Sequence, residues 1–401
     1  MVERCVLQDT AVKEQPIATI AMADTQDKTG HPVHCGECSE AVGLLTTYRC
    51  NLNCKYCYVH TKRNKNMTLE MAQSILEPFL QKKEGLLNIA FMGGETLMAI
   101  NVIRPLIEWV ESRKWNRPYR FFGSTNGTLL NDELKKWLET HKIHLTLGLS
   151  YDGLPTAQIN NRGISNIDID FFIRTWPKQP IQMTINTETV NYMADGVIHL
   201  LRKGAVVHPN VAFEELEWPK DKITEYGKQL NKLIYYYNSH EGLAIISQFV
   251  HNLNEYAACI DTSGKQTEIC GAGNGFQVFD TDGESYPCHI LSPLVLDEDK
   301  IKLIKGGLVS QTTDFSDKEC TNCPYRTACP TCIACNYLYR GALQKRDKTH
   351  CLIMKTEVKA FIKKEVLRLK AKEKLTSEDA TEIDSIIKLV EYERRMKAAH
   401  F

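Results

Sequence analysis
The sequence predicts an α/β protein built as a partial (β/α)6 TIM-like barrel, followed by a loop-rich cysteine region and C-terminal helices. Three observations carry that prediction. Over residues 42–218, apolar β-branched segments alternate with amphipathic ones, the pattern of repeated β-α units around a parallel sheet. Nine of the 15 cysteines crowd between Cys259 and Cys351, among glycines and prolines that break regular structure; such a segment suits stapling by metal rather than a large core of its own. Beyond Met354 the apolar residues return to helical spacing.

The six expected strands cover residues 42–47, 87–92, 120–123, 144–150, 181–186 and 211–217. Amphipathic stretches at 69–82, 101–113 and 132–142 read as helices between them, the last opened by Asn131 as its N-cap. In such a barrel, ligand groups gather at the C-terminal ends of the strands. A further helix at 222–237 leads into the cysteine region. Near the C-terminus Val358, Phe361, Ile362, Val366 and Leu369 form one stripe. A second helix starts near Ser377, whose hydroxyl would cap it, and carries Ile383, Ile386, Ile387 and Val390. Charges of mixed sign on the opposite faces mark packing helices with solvated outer sides. The expected divisions are an extension over 1–40, the barrel over 41–245, the cysteine-rich domain over 255–355 and terminal helices over 356–401.

Lys plus Arg and Asp plus Glu both number 49, so no global field draws the chain to nucleic acid or acidic lipid. No stretch approaches the roughly 18 unbroken apolar residues of a membrane span. The N-terminus, MVERCVLQDT, lacks the apolar run of a secretory signal. A cytoplasmic protein is expected, in a reducing compartment where clustered thiols bind metal or do redox work rather than form disulfides.

Cys50, Cys54 and Cys57 sit in RCNLNCKYCYV, directly after the first strand. Three thiolates on a short loop fill three corners of a four-iron cubane and leave one iron open, as a catalytic metal keeps a vacant position that a structural site lacks. Structural zinc fits less well, because zinc knuckles supply ligands in pairs to a complete tetrahedron. The next three strands end in Gly93-Gly94-Glu95, in Ser124-Thr125-Asn126-Gly127 and in Ser150-Tyr151-Asp152-Gly153, with Arg162 shortly after. Asn-Gly and Asp-Gly also form turns with no ligand present.

The cysteine loop resembles the signature of radical S-adenosylmethionine enzymes, including the aromatic Tyr56 before the last cysteine. The resemblance implies that the amine and carboxylate of S-adenosyl-L-methionine chelate the open iron, and that one electron from the reduced cluster cleaves the sulfonium. The 5′-deoxyadenosyl radical released takes a hydrogen from the substrate. It further implies that Tyr56 lies against the adenine, and that Gly93 and Gly94 let the backbone approach the methionyl ammonium while Glu95 pairs with it. Ser124, Asn126, Ser150, Asp152 and Arg162 would contact the ribose and the cofactor carboxylate.

The downstream cysteines read Cys270-x12-Gly283-x4-Cys288, Cys320-x2-Cys323-x5-Cys329, then Cys332, Cys335 and Cys351. They resemble the SPASM domain, which implies two auxiliary four-iron four-sulfur (4Fe-4S) clusters, three in all with the first. By that resemblance Cys320, Cys323, Cys329 and Cys351 enclose the outer cluster, while Cys270 and Cys288, on a hairpin, belong to the inner one. The family spacing Cys-x5-Cys-x3-Cys is replaced here by Cys329-x2-Cys332-x2-Cys335. Cys332, slightly favoured, or Cys335 then closes the inner site; Cys259 could add a ligand, or one iron could stay open. Zinc ribbons would fit the two Cys-x2-Cys pairs locally but leave the hairpin and Cys351 unexplained. His34-Cys35-x2-Cys38 is too short of ligands to complete a site, and no role is assigned to it.

The resemblance covers residues 40–365 and implies a protein or peptide substrate, with a flavodoxin- or ferredoxin-type electron donor. Family members that make formylglycine carry an aspartate, taken as the base, directly after the Gly-x4-Cys cysteine; His289 stands there in this chain. CGAGNGFQVFDTDGESYPCH looks closer to maturases that install thioethers or other cross-links in ribosomal precursor peptides. In those enzymes auxiliary clusters accept the electron left after ring closure. A non-catalytic iron–sulfur electron carrier or zinc scaffold is the remaining alternative. The 49 residues before Cys50, with one short strand at 16–22, are not expected to form a complete leader-binding winged helix.

Overall fold
The computed structural model describes residues 39–59, 62–83, 85–212, 218–264, 270–272, 275–309, 315–329 and 331–398. Cys5, His34, Cys35, Cys38 and the strand expected at 16–22 lie outside the described residues.

β1 (Ser39–Thr47) buries Val42, Leu44 and Leu45 completely, as a strand covered on both faces must. After it come α1 (Leu69–Leu80), β2 (Leu86–Gly93), α2 (Ile100–Glu111), β3 (Tyr119–Thr125), α3 (Asp132–His141), β4 (Leu145–Leu149), α4 (Pro155–Arg162), α5 (Ile169–Thr175), β5 (Ile181–Ile185), α6 (Met193–Arg202) and β6 (Val207–Val211). β1 to β4 pair in parallel in chain order, β5 pairs in parallel with β6, and a bridge between Ser150 and Gln182 joins the two sets. This is the expected succession of six β/α units. Leu76, Leu80, Leu106, Ile107 and Leu138 are among the fully buried helical residues that share one core with the strands. Asn131 caps α3 as expected, its side chain accepting from the Leu134 amide at 2.8 Å.

The sixth strand corrects the sequence reading. It occupies Val207–Val211, VHPNV, ahead of the expected 211–217, of which 213–217 lie outside the described residues. Val-His-Pro-Asn-Val has little intrinsic strand character; its ladder with β5 makes it a strand.

Beyond the barrel run α7 (Lys220–Asn238), α8 (Leu253–Ala258), β7 (Phe276–Phe279), β8 (Ser285–Tyr286), α9 (Glu298–Leu303), α10 (Ile333–Arg340), α11 (Lys348–Lys370) and α12 (Ser377–Ala398). The cysteine region is not a separate layer. β7 pairs in parallel with β1, and β8 folds back antiparallel on β7, so the hairpin between Cys270 and Cys288 extends the barrel sheet. α11 starts at Lys348, not Met354, capped by the Asp347 carboxylate on the Thr349 amide at 2.8 Å. It therefore holds Cys351 in its first turn and runs unbroken across the division expected at 355/356. Thr376, not Ser377, caps α12: its hydroxyl accepts from the Asp379 amide at 3.2 Å and the Asp379 carboxylate accepts from the Thr376 amide at 2.9 Å. That reciprocal pair is a capping box with aspartate in the acidic position.

α11 packs on α7, where the Tyr226 hydroxyl donates to Glu357 at 2.5 Å. Burial raises the Glu357 carboxyl to about 7. The protonated form thus favours the fold, a contribution fully present below the unfolded value near 4.5 and lost as pH rises through 7. The loss amounts to roughly 3 kcal/mol. Glu357→Gln is therefore expected to melt above the parent protein at pH 8 and level with it at pH 4.5. Parallel melting curves across that window would reject the ionisation if the two proteins differ by a constant amount.

Candidate functional site
Because β1 to β4 are parallel, their C-terminal ends share one rim, and the loops leaving them meet there. A cleft with a volume of about 260 Å³ opens at that rim, lined by Cys50, Cys54, Tyr56, Cys57, Gly93, Gly94, Glu95, Ser124, Asn126, Ser150 and Arg162. Tyr58, Lys62, Thr184 and Asn210 also line it and were not singled out in the sequence. Tyr58 follows Cys57 directly; Thr184 and Asn210 come from β5 and β6, whose alternation is too short to show which face turns inward.

The two glycines serve the loops first. Gly93 has φ of 144°, and a Cβ on it would lie 2.1 Å from the Thr47 carbonyl oxygen; one on Gly94 would lie 2.3 Å from that of Arg49. No side chain fits. The Gly94 and Glu95 amides donate to the Thr47 and Arg49 carbonyls at 3.0 and 2.8 Å, so the second loop is laced to the cysteine loop. Glu95 continues the lacing to β3, accepting from the Thr125 hydroxyl at 2.6 Å and the Asn126 and Leu97 amides at 2.8 and 3.0 Å. Burial raises its carboxyl, against those three hydrogen bonds. The Asn126 side chain donates to Asn51 at 3.0 Å and accepts from Thr128, which ties it to the cysteine loop.

Asp152 departs most from the expectation, because it does not line the cleft. It is buried beneath it, receiving five hydrogen bonds: Tyr56 hydroxyl 2.8 Å, Asn161 2.9 Å, Arg162 3.2 and 3.0 Å, and the Thr184 amide 3.1 Å. The Arg162 guanidinium also lies 5.3 Å from the centre of the Tyr56 ring, a cation–π distance. Asp152 is thus the base of a frame that aims Tyr56 and Arg162 into the cleft. The Ser124 and Ser150 hydroxyls make no hydrogen bond among the described residues, which leaves them open to a ligand.

Burial raises the Cys50 and Cys54 thiols, and each is raised further by its neighbours in the triplet. Buried thiols held near one another part with their protons to a metal. Among the described residues, no three His, Cys, Asp or Glu side chains converge as they would on one ion. Three thiols spread round a cleft suit a polynuclear cluster, whose corners stand farther apart than the ligands of one zinc.

Downstream, two sets emerge. Cys320 and Cys329 are pushed up by burial to about 11 and about 12, and the thiols of Cys323 and Cys351 act on both. Cys288 is pushed by burial to about 12, with Cys332 and Cys270 as its thiol neighbours. The Cys332 sulfur accepts from the Cys335 amide at 3.4 Å, capping α10; hydrogen bonding from Cys335 holds the Cys332 thiol down. Cys259 stands elsewhere: Arg326 donates to the carbonyls of both Cys259 (3.2 Å) and Cys323 (2.9 Å), which sets it beside the outer set. His289 does not line the cleft. Its Nε2 lies 2.8 Å from the Tyr58 hydroxyl, one residue behind the wall, and burial lowers it to about 4, keeping the ring neutral.

Comparison with known proteins accords with this geometry. An uncharacterized protein of Methanocaldococcus jannaschii is 27% identical over 284 residues, 65% of this chain and 91% of its own. The cysteine-type anaerobic sulfatase-maturating enzyme of Clostridium perfringens is 34% identical over 115 residues, 26% of this chain and 30% of its own. Among solved structures, anSMEcpe with bound AdoMet and the Kp18Cys peptide superposes with a TM-score of 0.57 at 18% identity, covering 82% of this chain and 98% of that one. Streptococcus suis SuiB bound to its precursor peptide SuiA gives 0.51 at 16%, covering 78% and 75%. Among the described residues no helix is long and apolar enough to cross a membrane. Residues 44–169, the stretch that holds Cys50, Cys54, Cys57 and the laced loops around them, match the radical SAM superfamily model, and the chain carries a radical SAM domain.

Proposed function
We propose that the protein is a radical SAM maturase that abstracts hydrogen from a ribosomal precursor peptide and forms a cross-link in it, a thioether above other bonds. The observation that carries this reading is the pairing of one open three-thiol site on the cleft with the second set of cysteines on a hairpin built into the same sheet. A cluster on Cys50, Cys54 and Cys57 with bound S-adenosyl-L-methionine would supply the 5′-deoxyadenosyl radical. Arg162 and the free hydroxyls of Ser124 and Ser150 would receive the cofactor's carboxylate and ribose, Tyr56 its adenine, and Glu95 with Gly93 and Gly94 its ammonium. Asn126 and Asp152 would hold those groups in place without touching the cofactor.

Cys270, Cys288 and Cys332, with Cys335, would hold an inner auxiliary cluster, and Cys320, Cys323, Cys329 and Cys351 an outer one. A flavodoxin- or ferredoxin-type donor would supply the electron that reduces the first cluster, and the auxiliary clusters would take up the electron left when the cross-link closes. Formylglycine formation is the second reading, favoured by the local 34% match to a sulfatase maturase. Against it, the position of the expected base is His289, neutral and screened from the cleft by Tyr58. Anaerobic incubation with a Cys-containing precursor peptide separates the two. Cross-linking yields a product lighter by two hydrogens per bond, whereas formylglycine exchanges the thiol for an aldehyde. Aldehyde formation alone would replace the first reading with the second.

A further inference from the structure
Arg346, on the turn between α10 and α11, is nine-tenths buried. Its backbone amide donates to Asp317 at 3.2 Å, and its Nη1 donates to the Cys329 carbonyl oxygen at 3.3 Å. Nε and Nη2 are buried and have no partner among the described residues. The guanidinium borders a small cavity with Cys329, Cys332, Cys335, His350 and Cys351. Nearby cations are otherwise engaged: Arg340 pairs with Asp347 at 2.7 Å, and Arg326 donates to the Cys259 and Cys323 carbonyls and the Thr262 hydroxyl.

A guanidinium with two donors out of water and no anion on them costs several kcal/mol, so a buried one implies a negative partner. The wall of the cavity that Arg346 borders is made by the cysteines Cys329, Cys332, Cys335 and Cys351. Four thiolates around a four-iron cluster carry net negative charge that grows on reduction. Donors and positive charge directed at such sulfurs favour the reduced state.

We propose that Arg346 donates hydrogen bonds from Nε and Nη2 to the sulfurs of the outer cluster, compensating its charge and raising its reduction potential. The inference rests on the assignment of Cys320, Cys323, Cys329 and Cys351 as the ligands of that cluster. Cys332 and Cys335 on the same cavity wall put the donor between the two auxiliary sites. Arg346 thereby makes the outer site the more readily reduced and draws the electron outward from the inner one.

The test is an EPR-monitored redox titration of the full-length, anaerobically reconstituted protein, with iron counted in every sample. Cys351→Ser first identifies the outer cluster as the signal that is lost or altered; unchanged iron and unchanged spectra there would end the cluster assignment itself, whatever Arg346 does. Arg346→Met should lower the midpoint of that signal by at least a tenfold change in the reduction equilibrium, about 59 mV for one electron. Arg346→Lys, which keeps the charge and loses the fork, should fall between the two. Full iron in Arg346→Met with an unmoved outer midpoint overturns the proposal. If Arg346→Met binds no outer iron, the lysine variant decides: a lowered midpoint supports the proposal and an unmoved one overturns it.

Discussion

Replacing Cys50, Cys54 and Cys57 together by Ala is expected to reduce cleavage of S-adenosyl-L-methionine to background while iron at the downstream cysteines is retained. The three thiols are the cysteines on the cleft. Those of the second region are held by other elements, α10, α11 and the β7–β8 hairpin. The lesion should therefore stay local: about four irons lost per chain, the number in one cubane. The rim keeps its shape because its lacing runs through backbone carbonyls of Thr47 and Arg49 and through Glu95, none of which the substitutions touch. Measured 5′-deoxyadenosine above background in the triple variant would refute the assignment. So would loss of all the iron, because the two regions would then not load independently.

The second large effect concerns Asp152. Asp152→Ala removes the carboxylate that, among the described residues, pairs with the buried Arg162 and leaves that charge uncompensated, a loss of about 3–5 kcal/mol. Tyr56 loses its hydroxyl partner and Thr184 its acceptor in the same step. A melting midpoint lower by several degrees is expected, with cofactor binding weakened further because Tyr56 and Arg162 are no longer aimed. Asp152→Asn keeps an acceptor for Tyr56 and should lose less. If the alanine variant melts with the parent protein yet fails to bind cofactor, Asp152 touches the ligand after all and the frame described for it is wrong.

How much of this was legible in the sequence depends on what kind of residue carries the signal. The first four strands each carry a buried apolar set, and their positions follow from residues such as Val42, Leu44, Ile89 and Leu147. β6 is not of that kind: His208, Pro209 and Asn210 are given their extended form by β5 alongside. The pairing of β7 with β1 joins residues more than two hundred positions apart, and no local pattern announces it. At the cleft, residue type and spacing pointed to loops that the fold brings together, but not to the direction of each side chain. Asp152 and Arg162 carry equal weight in the sequence, and only the fold shows one beneath the surface and the other on it. Tyr58 lay beside a residue that was singled out, and its importance comes from His289, 231 positions away.

α11 carries Cys351 in its first turn and Glu357, packed on Tyr226 of the barrel-side helix, less than two turns later. A helix is stiff over that distance, and its costly step is nucleation of the first turn. Whatever fastens Cys351 thus nucleates the rod that clamps α7. Iron held by Cys351 would then stiffen the start of the helix whose later turns clamp α7, so that loading of the outer site would be felt at the barrel.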